Sequence, residues 1–426
     1  MRILLLADHC NPAFASTPYF GYQIVRSIAR QVDHATLVTQ VRNKGSLTPN
    51  DLGVAELTFI DSEYIARPFW RLASWLRGDP NKAMTVSVAL NYPSALAFEW
   101  EVWKQYATRL KSGEFDVVHR VTPLSPTTPC PLAKWCPVPV VIGPVNGGLQ
   151  WPKGYNAELA REREWLTYLR KLHKWLPYYN STYQRAAAIL AGFPHTMEDL
   201  PPDALRKTFD CSDVGYEENL NDGLLDRPFC TTMTALFVGR LVPYKCADVV
   251  VRAFAASGHL RKHRLVIIGD GPERPFIEGL IKENTLEASV ELTGWLPHEE
   301  VMRRMRQADV FAFPSIRELG AGVVVEAMGM GLACITVDYG APGTYAAEGR
   351  GVVIPLKNKQ ALVDGYLSAL EELASDPAKR ARIGAKGQRY AKANLTWAAK
   401  AENIVEVYNW VLGRRDKKPN FYRPTN

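Results

Sequence analysis

The chain has 426 residues, of which 47% are hydrophobic and 22% are charged, values that are ordinary for a soluble globular protein. This length predicts two or three domains, each with a hydrophobic core, and excludes a disordered chain, a collagen and a disulfide-held mini-protein. The 51 Lys and Arg exceed the 44 Asp and Glu and give a net charge of +7. That charge permits an anionic partner without naming one.

Cysteine usage and the N-terminus point to a reduced, cytoplasmic protein. The seven cysteines are scattered and include no CxxC pair, so neither a zinc ribbon nor a disulfide framework is predicted. Asp8 interrupts the first apolar run, which therefore lacks the form of a signal peptide. No apolar run reaches the length of about 18 residues that a membrane-spanning helix needs.

Short runs rich in Val, Ile and Leu alternate with longer helix-like segments along the chain. Uniformly apolar strands of this kind are typical of parallel sheets covered on both faces. Many runs end in Gly, Pro or Asp, at the sheet edge where ligands of α/β proteins bind. In chain order, the predicted strands are residues 3–7, 35–41, 117–121, 138–143, 187–192, 234–239, 264–269, 289–293, 310–314, 333–337 and 351–355.

Two further segments bear on the organisation of the chain. The polar stretch 210–228 lacks helical periodicity and is predicted to link two α/β domains. Residues 161–179 place Trp165, Leu169 and Leu172 on one apolar stripe of a helix. That helix either packs on its own domain or lies against a membrane surface or an acceptor.

The strongest motif is PSIRELGAGVVVEAM at residues 314–328. A strand ends, a glycine-containing loop follows, and a helix is predicted to begin near Gly322. Backbone N–H groups at such a helix start can bind a phosphate. Glu318, in the loop, would face whatever extends beyond that phosphate. Glu326, about one turn into the helix, could accept hydrogen bonds from a diol such as a ribose.

Two other strand ends carry motifs. In FVGRLVPYK, Arg240 and Lys245 follow a strand, and they are either a phosphate-binding pair or two solvated surface cations. In VIIGDGP, at residues 266–272, a Gly-x-Gly turn lets the backbone approach a ligand or simply turn tightly. The chain contains no GxGxxG, so a nicotinamide dinucleotide site lacks its fingerprint.

In this order, the three motifs resemble the nucleotide-binding half of GT-B glycosyltransferases of family GT4, whose signature is G-R-L-x-x-x-K, then G-x-G-P, then E-x7-E. The resemblance covers roughly residues 1–20 and 115–410. It implies an α/β fold of the GT-B type, with two Rossmann-like domains facing across a cleft. We expect an acceptor-binding domain over 1–215, a nucleotide-sugar-binding domain over 229–396, and a C-terminal helix, about 397–426, that packs back on the first domain.

The resemblance also implies roles for residues of the second half. Arg240 and Lys245 resemble the pair that binds the diphosphate. Glu318 resembles the glutamate that touches the hydroxyls of the donor sugar, and we count it as catalytic, while Glu326 resembles the ribose-binding glutamate. Cys246 departs from the family, which usually has Gly after the lysine. The backbone N–H groups expected to meet the diphosphate are those of Leu319, Gly320 and Ala321.

The first half resembles the family less closely. His119, in the strand DVVHRVTP, matches the first position of the family's H-x-H and is either a catalytic residue near the donor sugar or a core histidine bonded to backbone. Gly21 is the one match to the family's Gly-Gly pair near the phosphates and is expected to contact the donor. Tyr19, Phe20 and Asn146 are candidates for the acceptor side.

The resemblance implies a retaining transferase that moves a sugar from a nucleotide diphosphate sugar to a glycan, a lipid-linked acceptor or a small molecule, in bacterial polysaccharide or glycoconjugate biosynthesis. The nucleotide sugar is a co-substrate, and no cofactor or metal is required. A GT-B sugar-nucleotide epimerase, a phosphorylase and a non-catalytic sugar-nucleotide- or glycan-binding protein remain alternatives. Nucleic-acid binding is not expected, because no known module for it is present.

The positive charge is concentrated at the C-terminus. Residues 379–426 contain twelve Lys and Arg but only three acids, a net charge of +9, so residues 1–378 carry −2. Aromatic residues are interspersed among these cations: Trp397, Trp410, Phe421 and Tyr422. The segment is either simply solvated or contacts the anionic inner face of a membrane, where lipid-linked acceptors reside.

Overall fold

The structure is a computed structural model that describes residues 1–14, 16–77, 92–162, 173–218 and 232–421. The chain forms two compact units. The first contains Met1–Gly148, Glu162–Asp213 and Trp397–Tyr422; the second contains Leu149–Arg161, Val214–Thr396 and Arg423–Asn426. Each unit is built on one parallel sheet, which confirms the predicted α/β class.

Strands and helices alternate along the described residues. The strands are β1 (Arg2–Ala7), β2 (His34–Gln40), β3 (Glu56–Ile60), β4 (Val117–Thr122), β5 (Val140–Val145), β6 (Ala188–Ala191), β7 (Thr208–Asp210), β8 (Thr234–Val238), β9 (Arg264–Ile268), β10 (Val290–Gly294), β11 (Val310–Ala312), β12 (Ala333–Val337) and β13 (Val352–Ile354). The helices are α1 (Thr17–Ala29), α2 (Pro49–Leu52), α3 (Glu63–Arg77), α4 (Tyr92–Lys111), α5 (Leu132–Trp135), α6 (Asn156–Glu162), α7 (Tyr179–Arg185), α8 (Pro194–Met197), α9 (Ala247–Ala256), α10 (Arg274–Glu283), α11 (His298–Gln307), α12 (Gly322–Gly329), α13 (Gly340–Ala346), α14 (Lys359–Ser375), α15 (Pro377–Asn394) and α16 (Trp397–Val411).

The sheet of the first unit has the strand order β3-β2-β1-β4-β5-β6-β7, with all pairs parallel. Alternate residues of β1 enter the two cores, since successive side chains of a strand point to opposite faces. Leu5 packs in the core that includes Tyr408 of α16, and Leu6 packs in the core that includes Phe98 of α4. The C-terminal helix α16 thus completes one face of this unit.

The sheet of the second unit has the order β10-β9-β8-β11-β12-β13, again entirely parallel. Every predicted strand of both units is present. Two strands that the sequence did not predict, β3 and β7, form the two edges of the first sheet. Among the described residues, no helix combines the length and the hydropathy needed to cross a bilayer.

One segment falls in a different unit from the one expected. Residues 149–161 were assigned to the first domain, whereas the structure groups Leu149–Arg161 with the second unit. The reason is side-chain packing: Trp151 contacts Tyr244 edge-on at 6.4 Å, and Tyr339 donates a hydrogen bond of 2.9 Å to the carbonyl of Gln150. The predicted helical stripe at residues 165–172 lies outside the described residues.

Candidate functional site

The three predicted motifs of the second unit meet at the carboxyl edge of its sheet. The order of strands reverses between β8 and β11, and crevices at such reversals bind the ligands of open α/β sheets. The loop after β8 carries Arg240 and Lys245, and the loop after β11 carries Glu318. The turn after β9 supports the first of these loops.

Lys245 and Glu318 form a direct ion pair, and each side chain is only 13% exposed. Ser315 donates a second hydrogen bond, of 2.6 Å, to the same oxygen of the Glu318 carboxylate. The ammonium of Lys245 also lies 4.9 Å from the centre of the Phe313 ring, within cation–π range. The ion pair between Lys245 and Glu318 therefore links the loop after β8 to the loop after β11, which leads into α12.

Arg240 reaches the same group of residues through Tyr244. Its Nη2 donates a hydrogen bond of 3.2 Å to the Tyr244 hydroxyl, and the Tyr244 ring lies 5.6 Å from the Lys245 ammonium. The Tyr244 carbonyl accepts a hydrogen bond of 2.9 Å from the backbone N–H of Ile316. Tyr244 thus contacts both cations and keeps them on the same loop side by side, an arrangement that suits the binding of an extended anion such as a diphosphate.

Two glycines after β9 allow this loop to pack. Gly269 has φ of 142°, and a Cβ there would lie 1.9 Å from the carbonyl oxygen of Gly239. Gly271 has φ of 153°, and its Cβ would lie 2.4 Å from the carbonyl oxygen of Leu241. The Gly-x-Gly turn therefore packs directly against the loop after β8, which carries Arg240.

Cys246 adopts the left-handed conformation, with φ of 52° and ψ of 34°, and it precedes α9. Glycine is favoured in this region because a Cβ costs roughly 1–2 kcal/mol there. Cys246 thus occupies a backbone conformation that glycine adopts more easily, at the position where the sequence departs from the expected Gly. The thiol is buried and contacts the carbonyl oxygen of Pro243 at 3.4 Å.

The helix α12 begins at Gly322, as predicted, with Ala321 in the left-handed conformation before it. Ala321 makes no side-chain capping hydrogen bond, and its carbonyl accepts a hydrogen bond of 2.9 Å from the backbone N–H of Val324, the third residue of the helix. Leu319, at 37% exposure, and the more buried Gly320 precede the helix. This geometry is compatible with anion binding by backbone N–H groups and by the helix dipole.

Glu326 lies on α12 with its side chain 23% exposed, and one carboxylate oxygen is 3.3 Å from Nε2 of His298. The Glu326 carboxylate raises the pKa of His298 above its ordinary value through this hydrogen bond. His298 is the first residue of α11 and is largely exposed. A carboxylate held this way keeps acceptor capacity for a diol.

The structure favours the structural alternative for His119. The side chain is fully buried, with Nε2 2.6 Å from the Gly143 carbonyl oxygen and Nδ1 2.5 Å from the Tyr408 hydroxyl. A carbonyl can only accept, so Nε2 carries the proton and Nδ1 accepts from Tyr408. Burial lowers the pKa of His119 to about 4. Both nitrogens are engaged within the core, which leaves neither for proton transfer to a substrate.

The other first-unit candidates also have structural contacts. Gly21 packs against the backbone of His9, since a Cβ would lie 2.2 Å from the His9 carbonyl oxygen. The Tyr19 hydroxyl accepts a hydrogen bond of 2.8 Å from Gln23. The ring of Phe20 lies 6.2 Å from that of Trp397.

Asn146 is buried and donates a hydrogen bond of 2.7 Å to Asp213. Its side-chain oxygen also lies 3.4 Å from His195 Nε2 and from the Thr196 hydroxyl. The loop after β5 is therefore fixed by Asp213 and by the segment that contains His195 and Thr196, all in the same unit. An acceptor contact for Asn146 stays a prediction.

Sequence reasoning assigned no role to three residues that the structure places in the site: Tyr244, Ser315 and His298. Tyr244 and Ser315 stand inside the quoted motifs. Tyr244 directly precedes Lys245, and Ser315 lies three positions before Glu318, so their closeness to these charged residues was the available signal. His298 lies 28 positions from its partner Glu326 in the chain. No local spacing could have shown that contact.

Residues 231–390 match the family model described as Glycosyl transferases group 1. The chain is 28% identical over 254 residues to a GDP-mannose-dependent alpha-(1-6)-phosphatidylinositol monomannoside mannosyltransferase of Mycolicibacterium smegmatis, covering 56% of this chain and 62% of the relative. It is 32% identical over 193 residues to a D-inositol 3-phosphate glycosyltransferase of Kineococcus radiotolerans, covering 41% and 43%. The chain thus spans between 43% and 62% of the length of these curated relatives.

Solved structures resemble the chain over almost its whole length. A sucrose-phosphate synthase from Thermosynechococcus elongatus has a TM-score of 0.62 at 18% identity, covering 97% of this chain and 100% of that one. An Anabaena protein solved in complex with UDP has a TM-score of 0.61 at 16% identity, covering 96% and 100%. At these identities the likeness shows the fold. Together the comparisons support a GT-B glycosyltransferase of GT4-like type and give no support to the alternatives.

Proposed function

We propose that this chain is a retaining glycosyltransferase that moves a sugar from a nucleotide diphosphate sugar to a glycan, lipid-linked or small-molecule acceptor. The observation that supports it most is the cluster of Arg240, Lys245 and Glu318 at the start of α12. This cluster lies within the residues that match the group 1 family model. Both relatives named above are glycosyltransferases by name.

The cluster supplies what departure of a diphosphate needs. Negative charge grows on the leaving diphosphate while the sugar becomes oxocarbenium-like. Arg240, Lys245 and the N-terminus of α12 stabilise that charge, and one such contact is typically worth a few kcal/mol at the transition state. Two fixed cations do the work that a divalent metal does elsewhere, so the proposed reaction invokes no metal.

Retention is proposed to follow from attack on the donor face from which the diphosphate leaves. The acceptor hydroxyl oxygen bonds to the anomeric carbon, the bond from that carbon to the diphosphate oxygen breaks, and the leaving diphosphate takes the hydroxyl proton. In this scheme Glu318 binds hydroxyls of the donor sugar and Glu326 binds the ribose. His119 takes no part, because its nitrogens are engaged in the core.

We also propose a donor, an acceptor class and a membrane contact for this chain. The M. smegmatis relative is named for GDP-mannose and a phosphatidylinositol mannoside, so GDP-mannose heads the donors to be tried and a lipid-linked acceptor is plausible chemistry. We propose a cytoplasmic protein that contacts the inner face of the membrane. The exposed cations Arg414, Arg415 and Lys417 after α16 support that contact.

The donor site is tested by thermal-shift measurements with UDP-, GDP-, ADP- and TDP-sugars. A ligand at about 100 times its Kd stabilises the folded chain by roughly 2.7 kcal/mol. One donor class should raise the unfolding temperature, and Arg240→Ala should remove that rise. Lys282→Ala, which removes an exposed cation of α10, is the matched control and should respond like the unmodified chain.

The proposal fails if no nucleotide sugar stabilises the chain, or if Arg240→Ala retains near-normal transfer. Conversion of the donor sugar into an epimer without any acceptor would instead indicate the epimerase. Binding of a donor without any turnover across a panel of glycan and polyol acceptors would indicate a binding protein.

A further inference from the structure

The carboxyl edge of the first sheet carries a polar cluster that the donor site does not involve. The order of strands reverses between β1 and β4, and the cluster consists of residues at the ends of these two strands, Asp8, His9 and Thr122. Crevices at such a reversal are where open α/β sheets bind ligands. The cluster therefore occupies the position at which a ligand of the first unit is expected.

Asp8 is the centre of the cluster. One of its carboxylate oxygens lies 2.8 Å from Nδ1 of His9, within ion-pair distance but without hydrogen-bond geometry, and accepts a hydrogen bond of 2.7 Å from the Thr122 hydroxyl. The Thr122 hydroxyl oxygen in turn accepts one of 3.0 Å from the backbone N–H of His9. The Asp8 carbonyl accepts a further bond, of 3.2 Å, from Asn43. The hydrogen bonds fix the Asp8 carboxylate and the backbone of His9, and the ion pair places the imidazole beside that carboxylate.

The two side chains differ in their access to solvent. The Asp8 side chain is 8% exposed, whereas that of His9 is 32% exposed. Because Asp8 lies at Nδ1, Nε2 is the nitrogen left for a ligand, and no residue in the described parts of the chain is hydrogen-bonded to it. A carboxylate beside one nitrogen of an imidazole leaves the other nitrogen to meet a substrate, an arrangement that can position a histidine.

The charges around His9 indicate the kind of ligand. Burial alone would raise the pKa of Asp8, but the charge of His9 and the hydrogen bond from Thr122 lower it to about 2. Asp8 raises the pKa of His9, against the effects of burial and of the Arg42 charge. Arg42 is itself paired with Glu63 at 2.8 Å. When His9 is protonated, Asp8, His9, Arg42 and Glu63 sum to no net charge, which suits a neutral hydrogen-bonding ligand better than an anion.

We propose that His9, held by Asp8, binds a hydroxyl group of a sugar or polyol acceptor through Nε2. This inference rests on the proposed glycosyl transfer and names an acceptor-binding atom for it. In the imidazolium form, Nε2–H donates a hydrogen bond to the hydroxyl oxygen. His9 is thus a positioning residue, and the site involves no covalent step of its own.

The direct test is NMR of the full chain with ¹⁵N-labelled histidine. The His9 signals are assigned by their loss in His9→Gln. We expect myo-inositol and methyl α-mannoside to shift the His9 Nε2 signal in a saturable way. His34, the first residue of β2 at the opposite sheet edge, is the internal control, and its signal, assigned by loss in His34→Gln, should not move.

Two outcomes overturn the inference: no shift of the His9 signal with either hydroxyl probe, or a shift with inorganic phosphate alone. A second variant tests the pairing itself. In Asp8→Asn the pKa of His9 should fall, and the shifts caused by the probes should weaken several-fold. An unchanged His9 titration in Asp8→Asn would contradict the pair, and if that variant does not fold, the His9→Gln comparison still decides.

Donor binding separates this inference from the proposed function. GDP-mannose and the other nucleotide sugars should stabilise His9→Gln as much as the unmodified chain, because the proposed donor residues lie in the second unit. If no donor binds either protein, the proposed function fails. If donors bind and the His9 signal ignores the hydroxyl probes, only the acceptor role of His9 fails.

Discussion

Glu318 accepts hydrogen bonds from a cation and from a hydroxyl at the same carboxylate oxygen. Lys245 and Ser315 are these two partners, and both contacts are largely shielded from water. An ion pair of this kind keeps the carboxylate in one orientation, which a sugar-binding acceptor requires. It also keeps the lysine at the start of α12, where a phosphate would meet it.

Glu318→Gln should therefore separate catalysis from donor binding. The amide keeps the shape but loses the charge-assisted bonds, so we expect turnover to fall about 10²–10³-fold. Donor stabilisation in thermal-shift assays should weaken only in part, since Arg240 and Lys245 remain to bind the diphosphate. Glu283→Gln removes an exposed charge at the end of α10 and serves as the control. Normal turnover in Glu318→Gln would contradict the assignment.

His119 makes the stability of the first unit dependent on pH. Its pKa is about 4 in the folded chain and near 6.5 when solvated, because burial disfavours the imidazolium. The buried neutral form contributes fully above pH 6.5. As the pH falls from about 6.5 to about 4, the unfolded chain binds the proton first and the fold loses roughly 3 kcal/mol from this group.

His119→Gln should weaken that dependence. The variant will be less stable at pH 7, since it loses the bonds to Gly143 and Tyr408. Its further loss between pH 7 and pH 5 should nevertheless be smaller than that of the unmodified chain. Urea unfolding followed at both pH values measures this difference. Equal losses in the two proteins would show that His119 does not titrate as its burial requires.

At the scale of elements, the interior strands and the edge strands of the second sheet, β10 and β13, were predictable, whereas the edge strands of the first sheet, β3 and β7, were not. Strands such as β1 and β12 are apolar at nearly every position because helices cover both faces of a parallel sheet. The edge strand β3 reads ELTFI and mixes polar with apolar residues, since it is covered less completely. The other edge strand, β7, has three residues, too few to produce a pattern.

The glycine turn after β9 packs closely against the loop after β8. Gly269→Ala would place a Cβ 1.9 Å from the Gly239 carbonyl in a backbone conformation that L residues rarely adopt. We expect the loop that carries Arg240 to be displaced, with a destabilisation of at least about 3 kcal/mol and loss of donor stabilisation. Thermal unfolding with and without donor measures both effects.

Gly279→Ala is the matched control for that substitution. Gly279 lies in α10, and a Cβ there would meet no atom within 4 Å. Alanine in a helix interior is favoured over glycine by roughly 0.5–1 kcal/mol, so this variant should be slightly more stable and should bind donor normally. If Gly269→Ala behaved in the same way, the supporting role of the turn would be wrong.

For the whole molecule, the two units differ in how far the sequence determines the site. In the second unit, each motif is a strand followed by its own loop, so local spacing is enough to place Arg240, Lys245 and Glu318 at one sheet edge. In the first unit, the contacts that matter join distant residues. His119 is bonded to Tyr408, 289 positions away, and Asp8 to Thr122, 114 positions away. A single sequence does not show such pairs.

At the charged C-terminus, too, the sequence did not reveal contacts between residues that are distant in the chain. Trp397 and Phe421, interpreted as aromatic residues of a basic surface, are buried in the core of the first unit. Lys418 donates hydrogen bonds to the carbonyls of Arg206 and Thr208 and lies over the ring of Phe209. Truncation at Leu412 would therefore remove core residues, so it would test stability as well as membrane contact.

Charge substitution tests the membrane contact without that damage. Arg414, Arg415 and Lys417 are exposed, and each cation near an anionic surface is worth about 1 kcal/mol. Replacing all three with Gln should weaken binding to phosphatidylcholine vesicles that contain phosphatidylglycerol by roughly two orders of magnitude.

The control variant removes the same charge from Lys262, Lys282 and Lys357, which are exposed in the second unit. It should bind like the unmodified chain, since the contact depends on where the cations lie and not on the total of +7. Binding of the unmodified chain should also fall as the Debye length shortens from about 10 Å at 0.1 M salt to about 3 Å at 1 M. Co-sedimentation that is equal for both variants would remove these residues from the membrane proposal.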